Sequence, residues 1–254
     1  MKEKLYTLEV MDALKSGDEC PCCYLERKME QDTIQFVLGA SYMEDDIRAL
    51  TDQAGFCRHH TKMMFDYGNS LGNAWILKTR MEFIRKKYQA QDKTKPGSGK
   101  SGLKIRFLGK KSGTSGDNSA YGWMKDSEQT CYVCQKFEET YGRILRTFFY
   151  LLENEPEFLQ QLKNSKGFCL PHFADLYEAC SEQLHGTNRE QILKALDQLM
   201  GENLDRIQED IDWFIDKFDY RNQNADWKNS KDAVQRTMQK LVGTHPADPV
   251  FQQK

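Results

Sequence analysis

Two short cysteine motifs, each written twice and in the same order, constrain this chain more than any other feature. Cys20 and Cys23 form a Cys-x-x-Cys, and Cys57 and His60 close the phrase "GFCRHH" as a Cys-x-x-His. Further along, Cys131 and Cys134 form a second Cys-x-x-Cys, and Cys169 and His172 close "GFCLPH". Residues 24–56 separate the first two motifs and residues 135–168 the second two, spacers of 33 and 34 residues. Recurrence this regular argues for a duplicated structural unit.

The spacing has a chemical reading. Residues at i and i+3 share a helix face with Cβ atoms about 5 to 6 Å apart, within reach of one ion that binds thiolates at about 2.3 Å. Each motif is therefore a two-point claw. Pro21 and Pro171 suit the first turn of a helix, where a missing N–H costs nothing. A helix N-terminus also favours negative charge, which makes a thiolate more available. Gly55 and Gly167, two residues before their cysteines, supply the tight turn into each claw.

Helical signals fill the spacers. In the first, Leu25, Met29, Phe36 and Val37 share a face, and Ser41 with Glu44 reads as a capping box opening a shorter helix through Ile47 and Leu50. In the second, Val133, Phe137, Tyr141, Ile144, Leu145, Phe148 and Leu152 run to a break at "NEPE", and the pattern resumes at Phe158 and Leu162. Each spacer is thus a helical hairpin. Thr187 and Glu190 form another capping box before the longest apolar periodicity, Ile192 to Phe218, which predicts one helix to about Tyr220. A shorter counterpart runs from Ser70 through Ile84, and a last helix from Ser230 to Val242.

These patterns predict an all-α protein of two pseudo-repeated helical units with metal-binding helix N-termini. The expected organisation is a first repeat over 1–90, a flexible basic Gly/Ser/Lys-rich loop over 91–120, and a second repeat over 121–254. A first helix of about 18 residues rises about 27 Å, and a loop and return helix are expected to recover most of that. Cys20 and Cys23 would then face Cys57 and His60, and Cys131 and Cys134 would face Cys169 and His172, although the spacing leaves open ligands that cross between halves. Each set has three cysteines and one histidine, a closed structural zinc set. Two zinc ions are expected, and an iron–sulfur cluster is the alternative.

Composition limits the other classes. The chain has 254 residues, a net charge of -2 and 11% aromatic residues, enough for a real core and with no global signature for nucleic acid. No segment approaches the roughly 18 to 20 apolar residues of a membrane span, and the opening residues do not form a signal peptide. A cytoplasmic location is the default, where eight cysteines read as metal ligands or redox groups rather than disulfides. The run "GSGKSG" is not a phosphate-binding loop, because Thr94 stands where the first Gly of GxxxxGKS belongs. Lys93 to Lys111 keeps contact with nucleic-acid phosphates as an alternative function. Carboxylate pairs such as Asp45 and Asp46 lie in ordinary polar helix faces, and neither GxSxG nor HExxH occurs. Cys180 is expected to be a buried core thiol. Cys22 and His59 are spare donors of the first half.

The motifs "CPCCYLE", "GFCRHH", "CYVC" and "GFCLPH", together with "KFDYRNQNADW" and "KDAVQRTMQKLVG" near the end, resemble a bacterial family known as a domain of unknown function, with duplicated CPxC and GFCxxH motifs. The second Cys-x-x-Cys lacks the Pro of the first. The resemblance implies a soluble bacterial protein and carries no established activity. The expected role is therefore a metal-bound helical scaffold for a protein partner. A redox, electron-transfer or sensing role is the alternative.

Overall fold

The computed structural model describes residues 5–90, 122–124 and 130–247. The chain is all-α, and no strand occurs among the described residues. Its helices include α1 (Thr7–Lys15), α2 (Pro21–Gly39), α3 (Asp45–Ala54), α4 (Arg58–Asp66) and α5 (Ser70–Ala90), then α6 (Tyr132–Asn154), α7 (Pro156–Lys163), α8 (Leu170–Gln183), α9 (Gly186–Asp216) and α10 (Ala233–Val242). Among the described residues, no helix is long and apolar enough to cross a membrane. The basic loop expected over 91–120, with the Lys93 to Lys111 stretch, lies outside the described residues.

The chain forms two compact units, each built from segments distant in sequence. One comprises Met1–Lys28 and Thr140–Pro249, the other Met29–Glu139 and Val250–Lys254. The two arms of each helical hairpin differ in length. Helix α2 has 19 residues and its return helix α3 has 10, rises of about 28 and 15 Å. Helix α6 has 23 residues and α7 only 8, about 34 and 12 Å. A return arm about half as long or shorter does not carry the chain back along the full length of the outgoing helix.

In the first unit, α1 packs against α7, while α8, α9 and α10 pack against one another. Its core centres on Phe148, whose ring meets Phe149, Phe158 and Phe168 edge-on at centroid distances of 5.4, 5.5 and 6.1 Å. Cys180 is buried there as expected, and burial pushes its thiol up to about 11. In the second unit, α3 and α4 pack on α5, around Ile34, Val37 and Leu38 of α2, Met63, Met64 and Ile76.

Several local expectations shift. Ser41 does not cap a helix: it begins a 3-10 turn to Met43, and Glu44 in extended conformation precedes α3, whose first turn carries Asp45 and Asp46. Those carboxylates suit the positive helix end without a hydroxyl cap. Phe36 is 52% exposed, because the buried stripe of α2 runs through Ile34, Val37 and Leu38. His185 rather than Thr187 precedes α9, and that helix ends at Asp216 instead of Tyr220. Its apolar stripe is buried only to Ile207. Beyond that point the rings of Phe214 and Phe218 meet Trp227, tilted and edge-on, at 5.9 and 6.4 Å.

Candidate metal centres

All four claws are built the same way. The carbonyls of Cys20, Cys57, Cys131 and Cys169 accept from the N–H groups of Tyr24, Thr61, Gln135 and Phe173 at 3.2, 2.9, 3.0 and 2.9 Å. Each leading cysteine thus stands at the mouth of a helix, and the second donor of its claw lies one turn in. Cys57 and Cys169 precede α4 and α8 with nearly equal backbone angles, φ -72° and -74°. Gly55 and Gly167 have φ of 66° and 72°, a left-handed conformation that a Cβ would strain.

The claws pair across the sequence rather than within each half. Cys20 and Cys23 meet Cys169 and His172 in the first unit; Cys57 and His60 meet Cys131 and Cys134 in the second. This corrects the expectation that Cys20 and Cys23 face Cys57 and His60. In each set the four donor atoms lie within 4.8 Å of one another.

Distances within the sets have the scale of a single ion's shell. Nδ1 of His172 is 3.6 Å from Cys20 Sγ, 3.4 Å from Cys23 Sγ and 3.2 Å from Cys169 Sγ, and Cys23 and Cys169 Sγ are 3.6 Å apart. Nδ1 of His60 is 3.2 Å from Cys57 and Cys131 Sγ and 3.5 Å from Cys134 Sγ. Tetrahedral zinc, with bonds of about 2.3 Å to sulfur and 2.0 to 2.1 Å to nitrogen, sets S···N at about 3.5 Å and S···S at about 3.8 Å. The residues present fit such an ion. The cysteines are free thiols, with no disulfide among them.

The groups of each set perturb one another strongly. A hydrogen bond with Cys134, aided by His60 against the cost of burial, pulls the Cys131 thiol down to about 3. Cys134 moves up through its bond to Cys131 and its burial. Burial disfavours charge on His60, yet Cys131 and Glu30 raise it to about 10. In the first unit, Cys20 falls well below the usual thiol range although burial opposes it, through Cys169, Cys22, Cys23 and His172. Cys23 rises because of Cys169, Cys20 and burial, and His172 reaches about 11 through Cys169 and Cys20 despite its burial. Each set thus contains one strongly favoured thiolate in a crowd of sulfur, an arrangement that attracts a soft or borderline cation.

Outer contacts orient the histidines. Nε2 of His60 faces Glu30 Oε1 at 2.9 Å, so an Nε2–H donated there leaves Nδ1 to the thiol side. Burial opposes charge on Glu30, but the neighbouring imidazoles of His59 and His60 hold it at about 2. For His172 the corresponding Nε2 lies 3.6 Å from Glu26 Oε2, and its ring tilts against Tyr141 at 5.7 Å. Glu26 and Glu30 stand three and seven positions past Cys23 on α2. That helical spacing was a readable signal for both carboxylates. Cys22 is buried beside these groups, its thiol raised by the bond to Cys20 and by burial.

Different ties join the claws. In the second unit the backbone N–H of Tyr132 donates to Gly55 O at 2.9 Å, and Thr130 Oγ1 donates to Ala54 O at 2.7 Å. In the first unit the buried ammonium of Lys240 on α10 spans the gap, donating to Glu19 O at 2.8 Å and Lys166 O at 2.7 Å. The buried Glu19 carboxylate sits beside Lys240 at 3.4 Å and accepts from Arg206 at 3.2 Å. Gly243, just past α10, turns its carbonyl 3.2 Å from Cys23 Sγ, and a Cβ there would stand 3.5 Å from Cys169 Sγ. Sequence reading did not find Glu19, Lys240 or Gly243.

The model of DUF6062, a family of unknown function, matches residues 1–248. The chain belongs to this family. No curated protein and no solved structure matches it. The expected kinship with a domain of unknown function is met, and among the described residues two clusters of three cysteines and one histidine could hold metal ions.

Proposed function

We propose that this DUF6062 protein is a non-enzymatic zinc protein of the cytoplasm, with one ion held by Cys20, Cys23, Cys169 and His172 and a second by Cys57, His60, Cys131 and Cys134. The zinc ions fasten helix starts that are distant in sequence, so that the helical surface, with α9 its longest element, keeps one shape for a protein partner. One observation carries the reading: in both sets three sulfurs and one imidazole nitrogen converge with S···N distances of 3.2 to 3.6 Å. A closed four-donor set of this kind leaves no position for substrate.

The same distances favour one ion over an iron–sulfur cluster. Thiolates on different irons of a cluster stand further apart than thiolates sharing one ion, and Cys23 and Cys169 Sγ are only 3.6 Å apart. Elemental analysis and a visible spectrum of protein purified without oxygen test this reading. It expects about two zinc ions per chain and no colour; iron, sulfide and a brown chromophore would overturn it.

A further inference from the structure

His59 is the donor that the second claw pair lacks, since Pro171 occupies the corresponding place in "GFCLPH". It is 54% exposed on its side chain, next to a Glu30 carboxylate that is 13% exposed. The two oxygens of Glu30 divide their work. Oε1 faces Nε2 of His60 at 2.9 Å, whereas Oε2 stands 3.7 Å from His59 Nε2. That second gap is too long for a good hydrogen bond. It does match an ion shared by the two atoms: zinc bonds of about 2.0 to 2.2 Å at an angle of about 110 to 125° span about 3.4 to 3.8 Å. The rings of His59 and His60 lie 5.1 Å apart, and Glu30, His59 and His60 bring one ligand atom each within 4.8 Å of the others.

We propose that Glu30 Oε2 and His59 Nε2 form a separate, solvent-facing site for a divalent cation of the zinc class, from which the ion passes to the Cys57, His60, Cys131 and Cys134 set. This rests on the zinc reading of that set. Two protein donors leave the remaining positions to water, so the ion is held loosely and exchanges quickly. The destination is one imidazole ring away, and Cys57 and Cys134, only partly buried, keep it accessible. The transfer is ligand exchange without electron transfer: water, Glu30 and His59 leave the ion as the sulfurs and His60 Nδ1 replace them, the protons still on those incoming donors pass to solvent, and Glu30 and His59 are freed for the next ion. Carboxylate and imidazole suit zinc and disfavour magnesium or calcium, which take oxygen donors.

Isothermal titration of the zinc-loaded full chain with zinc chloride tests the site. Two variants are compared with the wild type: His59→Pro, which copies the other claw and keeps a first-turn proline, and His59→Ala. The wild type should bind a third, weaker equivalent that both variants lose. Stopped-flow loading of the metal-free chain with cobalt(II) should show one of the two thiolate sites filling more slowly in the variants. A wild type that saturates at two, a third equivalent surviving in both variants, or unchanged loading would overturn the proposal. Intense cobalt–thiolate absorption separates the layers: without two equivalents of it the zinc reading itself fails, and with two but no third equivalent only this inference fails.

Discussion

The Cys20 and Cys57 centres use the same donor types, three thiols and one imidazole, in opposite chain order, yet they are enclosed by different means. Around the first, all four donors are buried, α10 spans the claws through Lys240, and Gly243 turns its carbonyl onto Cys23. Around the second, Cys57 and Cys134 are only half-buried, the claws meet through Thr130 and the Tyr132 amide, and His60 is braced by a carboxylate at 2.9 Å. Seven positions past the second cysteine of each Cys-x-x-Cys, the chain places Glu30 against His60 in one unit and Tyr141 against His172 in the other. A polar brace beside an open face suits exchange; an aromatic brace under a helix end suits permanence. One ligand set therefore serves two degrees of access, decided by what surrounds it.

The largest break in this comparison comes from removing a ligand. Cys169→Ser should abolish one metal equivalent and cost more than about 4 kcal/mol, while Cys57→Ser should also lose one equivalent but destabilise less; metal content and chemical denaturation check both. Next is Lys240→Met, which leaves the carbonyls of Glu19 and Lys166 without their buried donor and weakens the balance at Glu19. A cost of about 3 kcal/mol is expected, with one metal equivalent held more weakly. Glu30→Gln should lower affinity at the Cys57 centre about 10- to 100-fold, and Glu26→Gln, starting from 3.6 Å, should lower it less at the Cys20 centre; competition with a zinc chelator measures both. Thr130→Val is the smallest change, about 1 kcal/mol for one hydrogen bond. A larger loss from Thr130→Val than from Lys240→Met would reverse the ranking of the two enclosures.

Much of this was legible in the sequence because it is local. Claw spacing, Gly55 and Gly167 before the cysteines, and the apolar periods of α2, α6 and α9 depend on residues within a turn or two of each other. The pairing of claws was not, because it turns on how far α3 and α7 fall short of α2 and α6, and helix ends are what periodicity defines least well. Helix α1 was missed: it is short, and its apolar residues are interrupted by Glu9 and Asp12. Lys240 lies 221 positions from Glu19, and a lysine on a terminal helix ordinarily reads as a solvated charge.

The central claim is that the claws pair across the sequence, and counting metal in two double variants tests it most directly. Cys20→Ser with Cys169→Ser removes two ligands from one centre, so the chain should keep one zinc. Cys20→Ser with Cys57→Ser damages both centres, so it should keep none. The opposite result, none in the first variant and one in the second, would mean that each half closes its own site and would contradict the account.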